Sequence, residues 1–153
     1  MKDYSFRALK IDDYDAVYAL WKQTEGMGLG ESDTHEAIAA FLERNCGLSL
    51  VACDLQGQIV GAVLCGHDGR RGYLHHLAVA RRFRQRGIGR ELVAACQAKL
   101  SQAGIQKCNI FIFASNASGR QFWTNNGWKL RTELRLMQIR LVADGHPRQD
   151  CPC

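Results

Sequence analysis

One arginine-rich stretch, residues 81–90, constrains this chain most because it joins segments of different periodicity. It reads Arg-Arg-Phe-Arg-Gln-Arg-Gly-Ile-Gly-Arg, follows the apolar run Leu77-Ala78-Val79, and leads into an amphipathic run that begins at Ile88. A strand–turn–helix junction of this kind presents free backbone N–H groups at the positive end of a helix dipole. Glycine at such a turn lets a bulky anion approach the backbone. The sequence therefore predicts a phosphate-binding junction.

The size and composition of the chain fit a single folded domain. It has 153 residues, of which 46% are hydrophobic and 23% are charged, and only two are proline. These values are ordinary for one globular core. No apolar run approaches the roughly 20 residues that span a membrane, and the N-terminus lacks an apolar secretion signal. We therefore expect a cytoplasmic protein with a domain over residues 1–142 and a loose polar tail over residues 143–153.

The seven cysteines are expected to be free thiols. Five of them are scattered among apolar segments, where cysteine is typical of a small buried residue. Only Cys151 and Cys153 lie close together, and two ligands cannot close a zinc site. We therefore expect no metal and assign no role to this pair.

Hydrophobic periodicity predicts one mixed α/β sheet with helices on both faces. Strands are predicted at residues 4–9, 48–53, 59–65, 73–79 and 108–113, followed by a closing hairpin of residues 128–131 and 134–141. Helices are predicted from Asp12 or Asp13, from Asp33 with Glu36 as a capping box, over residues 87–103 and over residues 118–125. The short connections of the second to fourth strands favour an antiparallel meander, and the crossover helix favours a parallel fifth strand.

A glycine-rich loop follows the first predicted helix. Gly26, Gly28 and Gly30 alternate with Met27 and Leu29. Glycines at alternate positions favour a mobile loop over a packed one. We therefore predict an unpacked loop at residues 26–30.

Two segments of the chain resemble the GNAT superfamily of N-acetyltransferases. Arg84-Gln85-Arg86-Gly87-Ile88-Gly89 is similar to the family's Arg/Gln-x-x-Gly-x-Gly/Ala signature, and it follows a strand and opens a helix as in that family. Residues 116–128, Asn-Ala-Ser-Gly-Arg-Gln-Phe-Trp-Thr-Asn-Asn-Gly-Trp, resemble the family segment Asn-x-x-Ala-x-x-Phe-Tyr-x-x-x-Gly-Phe. The resemblance implies a single-domain fold with a mixed, mostly antiparallel sheet of six to seven strands. It also implies about four flanking helices and a splayed central strand pair.

The resemblance implies acetyl-CoA as cosubstrate. Backbone amides of the signature would wrap the pyrophosphate, and Arg81, Arg82 or Arg84 would bind a further phosphate such as the 3′-phosphate. Pantetheine would lie between the splayed strands and pair with the backbone like an added strand. Asn116 has a second interpretation, as the N-cap of its helix. The implied binding residues are Leu77, Ala78, Val79, Arg84, Gln85, Arg86, Gly87, Ile88, Gly89, Arg90, Asn116 and Phe122.

Two groups that relatives use for catalysis are replaced in this chain. The tyrosine that often serves as the acid for the leaving thiolate is Trp123, and an indole N–H is far too weak an acid for that role. The glutamate that ribosomal-protein N-terminal acetyltransferases place on the following strand aligns with Phe111. Neither role transfers to this sequence.

The best remaining candidates lie on the strand before the signature. His75-His76-Leu77-Ala78-Val79 resembles the His-x-Leu-Ala-Val strand of arylalkylamine acetyltransferases, in which histidines assist proton removal. Alternation places Tyr73, His75, Leu77 and Val79 on one face and His76 on the other. We predict His75 as the catalytic base, with Tyr73 ordering a water or donating to the thiolate and the Val79 N–H polarising the carbonyl. His76 is the alternative base, and a packed or surface histidine is the non-catalytic interpretation of either.

The resulting hypothesis is an N-acetyltransferase that moves the acetyl group of acetyl-CoA to an amine by direct attack. The amine would belong to a small molecule or to a peptide or protein N-terminus. The alternative is an acyl-CoA-binding or sensing protein with weak or no catalysis, which the missing tyrosine and glutamate motivate. The net charge of +5 would also suit a nucleic acid, but the basic stretch lacks aromatic platforms and a reading element. No membrane partner is expected. The sequence leaves the oligomeric state open between a monomer and a homodimer, the latter because many members of the family dimerise.

Overall fold

Five strands form one sheet in the order β1-β2-β3-β4-β5 in the computed structural model, which describes residues 2–141. The strands are β1 (Tyr4–Ala8), β2 (Leu50–Asp54), β3 (Ile59–His67), β4 (Gly72–Val79) and β5 (Cys108–Asn109). Four α-helices flank the sheet: α1 (Tyr14–Lys22), α2 (His35–Arg44), α3 (Ile88–Gln102) and α4 (Ala117–Asn125). Single 3₁₀ turns occur at Ile11–Asp13, Glu31–Asp33 and Arg81–Phe83.

The connections between strands set the pairing directions. Strands β1 to β4 pair antiparallel, and β5 pairs parallel to β4 after the crossover through α3. The turn between β2 and β3 is short because Gly57 has φ +78° and the Asp54 carboxylate accepts the N–H groups of Gln56 and Gln58. The predicted mixed, mostly antiparallel α/β fold with about four helices is therefore confirmed.

Helices cover both faces of the sheet, and each face has its own apolar core. On one face, Val17, Leu20 and Trp21 of α1 pack with Ile38 of α2 against the inner residues of β2 and β3. On the other face, the buried residues of α3 are Ile88, Leu92, Val93, Cys96 and Leu100. Each fully buried aliphatic side chain of this kind contributes about 2 kcal/mol to folding. The two cores fix β4 between α1 and α3, where its C-terminal end meets the arginine-rich stretch.

The sheet is smaller than the sequence predicts. Among residues 2–141 there are five strands instead of six to seven, because the two strands predicted after α4 are absent. Strand β5 is also shorter than predicted, since it ends at Asn109 instead of residue 113. Strand β5 pairs only with Gly72 and Tyr73 of β4, so the two strands separate after two residues. This separation agrees with the splayed strand pair that the resemblance implies.

The predicted C-terminal hairpin of residues 128–131 and 134–141 is wrong, because residues 128–141 contain no strand. Within residues 129–141, one main-chain hydrogen bond is present, from the Leu134 N–H to the Arg131 oxygen at 3.3 Å. The alternating apolar pattern of this segment has no edge to pair with, since β5 stops short. Its large apolar side chains are consequently exposed.

The start of the second helix also differs from the prediction. The N-cap of α2 is Thr34, whose hydroxyl accepts the Ala37 N–H at 3.2 Å. Asp33 lies one residue earlier, in a 3₁₀ turn, and its carboxylate accepts the Gly30 N–H at 2.9 Å. The predicted capping box of Asp33 and Glu36 is therefore wrong, and the Asp33 carboxylate is available for other contacts.

The remaining expectations concern cysteines, the tail and the membrane. Cys53, Cys65 and Cys96 are buried as predicted, whereas Cys46 is exposed. The predicted tail, with Cys151 and Cys153, lies outside the described residues. In the described part of the chain, no helix combines the length and apolar character needed to cross a membrane.

Candidate active site

The separation of β4 and β5 opens a cleft of about 1150 Å³. Strand β4 and residues 83–90 form one wall, and residues 110–113 with α4 form the opposite wall. Residues 24–28, which follow α1, border the cleft as well. The predicted site residues His75, Asn116 and Phe122 and those at 77–79 and 84–90 therefore line one cavity, whereas Tyr73 does not line it.

The arginine-rich stretch forms a cradle of free amides at one end of the cleft. Gln85 and Gly87 both have left-handed backbone conformations, with φ of +62° and +84°. The first main-chain hydrogen bond into α3 runs from the Glu91 N–H to the Gly87 oxygen at 3.0 Å. Within residues 2–141, none of the six amide N–H groups of residues 85–90 donates to a protein atom. Successive free amides at a helix N-terminus form a site for an anion.

Arginine side chains beside the cradle are held by carboxylates. Arg84 donates from Nε to the Val79 oxygen at 2.9 Å and from Nη2 to Glu25 at 3.1 Å. Arg81 also contacts the Glu25 carboxylate. Hydrogen bonding to Arg81, then to the Glu25 backbone and to Arg84, lowers the pKa of Glu25 to about 2. Glu25 therefore stays ionised and ties the loop after α1 to the arginine-rich stretch.

Two further arginines point to acidic partners as well. Arg86 binds Asp3 at 2.7 Å, and Arg82 lies 3.9 Å from the Asp54 carboxylate. Both guanidinium groups also lie over the Phe83 ring, each 5.0 Å from its centroid. Arg81, Arg82, Arg84 and Arg86 consequently have acidic partners, whereas in the described part of the chain the N–H groups of residues 85–90 are free to meet an anion.

The opposite wall begins with the N-terminus of α4. Asn116 is the N-cap of this helix, and its Oδ1 accepts the Gly119 N–H at 2.9 Å. Asn116 also lines the cleft, so the two interpretations of this residue are compatible. Phe122 reaches across to α3, since a Cβ placed on Gly89 would lie 3.4 Å from its ring. The absence of a side chain at Gly89 therefore keeps the two walls close at the cradle.

The glycine-rich loop after α1 crosses to the opposite wall. A Cβ on Gly26 would lie 2.7 Å from Nδ2 of Asn116, and one on Gly28 would lie 2.8 Å from the Phe113 ring. These approaches are too close for any side chain without movement of a neighbour. The prediction of an unpacked loop is therefore wrong at Gly26 and Gly28, and the sequence pattern reflects close packing instead.

A β-bulge interrupts the alternation of β4 at the two histidines. Ala62 of β3 pairs with Ala78, and Leu64 pairs with His75, so His76 and Leu77 lie opposite a single residue. His76 has φ +53°, which is uncommon for a residue with a side chain.

Ring contacts place both imidazoles on the α1–α2 face of the sheet. His75 lies beside Phe41 of α2, and His76 lies beside Trp21 of α1. Leu77 and Val79 pack into the opposite core. The predicted alternation, with His76 alone on its face, is therefore wrong because the bulge interrupts it.

His75 belongs to a group of aromatic rings at the far end of the cleft. Its ring lies 6.1 Å from Tyr73 and 6.3 Å from Phe111, with interplanar angles of 4° and 25°. Burial lowers the pKa of His75, its electrostatic interaction with neighbouring His76 lowers it further, and Asp33 opposes both effects. The His75 imidazole is therefore neutral at neutral pH and is able to accept a proton.

His76 has a partner that the sequence reasoning missed. Its Nε2 lies 2.6 Å from Oδ1 of Asp33, which is 43 residues away and buried. The sequence pattern favours Asp33 as a helix cap, and nothing in the local sequence connects it to β4. The one available signal was Thr34, a good N-cap directly after it, which would have released Asp33 from that role.

Both departures from the family pattern are visible in the cleft. Trp123 lines the cleft and packs edge-on against Phe122 and Trp128. Phe111, at the aligned glutamate position, is 60% exposed and stacks on Tyr73. Neither residue offers an acid or a carboxylate. The candidate acid–base groups at this end of the cleft are therefore His75 and His76 of β4, with Asp33 from the turn before α2.

Comparison with known proteins defines the class of this fold and cleft. The Acetyltransferase (GNAT) family matches residues 14–128. The chain is 28% identical over 138 residues to acetyltransferase SG1711 of Sodalis glossinidius, covering 90% of this chain and 96% of the relative. It is 34% identical over 110 residues to acetyltransferase ECA0875 of Pectobacterium atrosepticum, covering 72% and 77%.

A solved structure shows the same fold. It is the PaiA N-acetyltransferase of Thermoplasma acidophilum in complex with coenzyme A, with a TM-score of 0.72 and 19% sequence identity. The similarity covers 85% of this chain and 92% of that one. The chain therefore belongs to the GNAT acetyltransferase family, and this membership supports acetyl transfer in general.

Proposed function

We propose that the chain is an acetyl-CoA-dependent N-acetyltransferase that acts by direct attack of an amine. The observation that carries this proposal is the cradle of six free amides at residues 85–90, at one end of a cleft whose other end has two histidines. Such a cradle suits a pyrophosphate, because each oxygen meets a donor that has no competing acceptor. The PaiA neighbour, which binds coenzyme A, has the same fold.

The cosubstrate would run from the cradle along β4. Residues 85–90 would bind its pyrophosphate, and Leu77, Ala78 and Val79 would border the acyl arm in the gap that opens beyond Tyr73. Asn116 and Phe122 would contact it from the opposite wall. When bound there, the thioester supplies an activated acetyl group.

Protein groups at the far end would handle the proton of the amine. His75 is neutral because burial lowers its pKa, so it would accept a proton from the amine directly or through a water. Tyr73, stacked on His75, would order that water or donate to the departing thiolate. The Val79 N–H would polarise the thioester carbonyl.

The acceptor is an amine of a small molecule or of a peptide or protein N-terminus. A second candidate function is acyl-CoA binding or sensing without catalysis, which Trp123 and Phe111 favour because they replace the acid and the carboxylate that relatives use. Both functions require the same cradle, so cofactor binding alone does not separate them.

Thiol release with a panel of amines and N-terminal peptides tests the proposal. An acetyltransferase releases free CoA faster when its acceptor is added, and the acetylated amine accumulates in equal amount. Binding of acetyl-CoA without acceleration by any acceptor would favour the sensing function. For His75, the pH–rate profile of His75→Ala should lack the limb that titrates near neutral pH, and an unchanged limb would remove His75 from the mechanism.

We also propose that the chain folds as one domain over residues 1–142 and is located in the cytoplasm. This domain would form a homodimer. Nine large apolar residues are strongly exposed in the described part of the chain, and eight of these lie between residues 111 and 141. They are Phe111, Phe113, Leu130, Leu134, Leu136, Met137, Ile139 and Leu141. We infer that these side chains form one apolar surface, which a monomer rarely leaves in water. Light scattering after gel filtration should give twice the mass of 17.1 kDa, and a monomer at micromolar concentration would contradict the proposal.

A further inference from the structure

A buried carboxylate, Asp33, is connected to the cleft through His76. Asp33 is 6% exposed, and its Oδ1 lies 2.6 Å from Nε2 of His76. Its Oδ2 accepts the Gly30 N–H at 2.9 Å, and its main-chain oxygen accepts the Tyr14 hydroxyl at 2.6 Å. The carboxylate is therefore fixed in position at both oxygens before any ligand binds.

The backbone holds His76 in place as well. The bulge gives it φ +53°, a conformation that costs about 1 kcal/mol or more for a residue with a Cβ. Its ring packs 4.9 Å from Trp21, which is fully buried, and its side chain is 19% exposed where it lines the cleft. Two titratable groups, Asp33 and the neighbouring His75, lie beside it. A strained backbone and a buried partner thus combine to set the orientation of one imidazole.

The contact with Asp33 sets the tautomer of that imidazole. An ionised carboxylate only accepts hydrogen bonds, so Nε2 of His76 carries the proton and donates it to Oδ1. Nδ1 then keeps a lone pair and is able to accept a proton. The carboxylate also stabilises the charge that the ring acquires when it does so.

The proposed reaction needs more than one proton acceptor. An ammonium loses one proton before its nitrogen can attack the thioester carbonyl, and it loses a second after the new C–N bond has formed. As the C–S bond breaks, its electron pair leaves with sulfur, and the thiolate takes one proton while the other passes to solvent. Two histidines on one face of β4, His75 and His76, would accept one proton each.

We propose that Asp33 is a positioning residue of the acetyl-transfer site, which rests on the proposed function. It holds His76 with Nε2–H directed at the carboxylate, so that Nδ1 accepts one of the two protons and His75 accepts the other. A purely structural role, in which the pair only anchors the start of α2 to the sheet, makes different predictions for turnover and for the tautomer.

Asp33→Asn, measured together with Asp13→Asn, separates these roles. Asp13 makes a comparable ion pair with Arg7 and accepts the Lys10 N–H, but it lies outside the cleft. An amide at position 33 is able to donate to Nε2 and so to favour the other tautomer. We expect Asp33→Asn to lower kcat about 10- to 100-fold with an unchanged KM for acetyl-CoA, the same order as the loss found when a carboxylate that orients a metal-bound histidine is removed. Asp13→Asn should keep kcat within about twofold, the usual range for a site far from the chemistry.

The second measurement uses ¹⁵N NMR of the imidazole rings of the wild-type protein and needs no turnover. We expect the Nε2–H tautomer for His76 in the wild type and in Asp13→Asn, and a mixture or the Nδ1–H tautomer in Asp33→Asn. An Nδ1–H tautomer in the wild type would overturn the proposal even if Asp33→Asn does not fold.

Kinetics distinguish the failure of this inference from the failure of the proposed function. An active wild type with Asp33→Asn within twofold of it would overturn the positioning role alone. A fall in kcat no larger than that of Asp13→Asn would do the same. A wild type that binds acetyl-CoA but acetylates no acceptor would overturn the proposed function and the positioning role together.

Discussion

The two ends of the cleft are built in different ways. At the cradle, residues 85–90 are contiguous in the chain and offer backbone N–H groups at the start of α3. At the far end, the groups are side chains from separate segments: His75 and His76 of β4, Asp33 from the turn before α2, and Phe111 after β5. The first end depends on local backbone conformation, and the second depends on how distant elements pack.

From this difference we expect the first end to tolerate changes of its arginine side chains and the second end to tolerate little change. Amides are present at every position, so the cradle requires mainly the left-handed turns at Gln85 and Gly87. The far end requires a bulge, a buried carboxylate and ring packing at the same time. Variants that alter one end only should therefore separate binding of the cosubstrate from turnover.

The largest effect is expected from Gly87→Asp. This change strains a residue with φ +84° and places a carboxylate among amides that would hold a pyrophosphate. The affinity for acetyl-CoA, measured by calorimetry, should fall roughly 100-fold or more, which corresponds to about 2.7 kcal/mol.

Gly104→Asp is the matched control for that change. Gly104 has φ +80° and open space around it, and it lies just after the C-terminal end of α3, outside the cleft. An aspartate there adds the same backbone strain and the same charge as an aspartate at position 87. Its affinity for acetyl-CoA should match that of the wild type. Equal losses in the two variants would mean that strain in the fold, and not the cradle, explains the result.

A smaller effect is expected where the loop after α1 meets the opposite wall. Gly26→Ala would bring a methyl group 2.7 Å from Nδ2 of Asn116, at a backbone φ of +75°. Displacing the loop should lower kcat/KM about tenfold, since a misplacement of 1 Å is costly in an active site. Gly47→Ala has the same strain at φ +74° with open space, so it should lose stability and keep kcat/KM. Equal kcat/KM in both variants would show that the loop contact has no catalytic consequence.

Substitutions of Asn116 distinguish its two roles. Asn116→Ala removes the N-cap of α4 and should lower the free energy of unfolding by about 1 kcal/mol in urea titrations. Asn116→Ser keeps a capping oxygen and should keep most of that stability. Both variants should weaken acetyl-CoA binding if the amide contacts the cosubstrate. An Asn116→Ser variant with wild-type affinity would leave the helix cap as the only role.

The smallest effect concerns pH and stability. Burial lowers the pKa of His75 below its ordinary value of 6.5, so the unfolded chain binds this proton more readily than the folded chain. The free energy of unfolding should therefore fall as the pH drops through 6.5 and level off below the folded-state pKa. Urea titrations between pH 7.5 and pH 5 should show a flatter dependence for His75→Gln. An unchanged slope would contradict burial of a neutral imidazole.

Features set by local chemistry were predictable from the sequence. The hairpin at Gly57 and the opening of α3 after Gly87 follow from glycine and apolar spacing, and both are observed. The cradle follows from the same pattern, because its geometry lies within six residues.

Features set by packing were not predictable in the same way. The bulge at His76 changes the face of one residue without a glycine or proline to mark it. Strand β5 ends at Asn109 because it separates there from β4, and this separation is set by packing. Without a longer β5, the predicted C-terminal hairpin has no strand to pair with. The contact of Asp33 with His76 joins residues that only the fold brings together.

The central claim is that free backbone amides at residues 85–90 bind the cosubstrate. Titration of ¹⁵N-labelled protein with acetyl-CoA, followed by amide chemical shifts, tests this claim directly because it reports on the N–H groups themselves. The account predicts that the largest shifts occur at residues 85–90, with downfield movement as each amide gains an acceptor. Saturable binding with its largest shifts elsewhere, or no binding at millimolar acetyl-CoA, would contradict it.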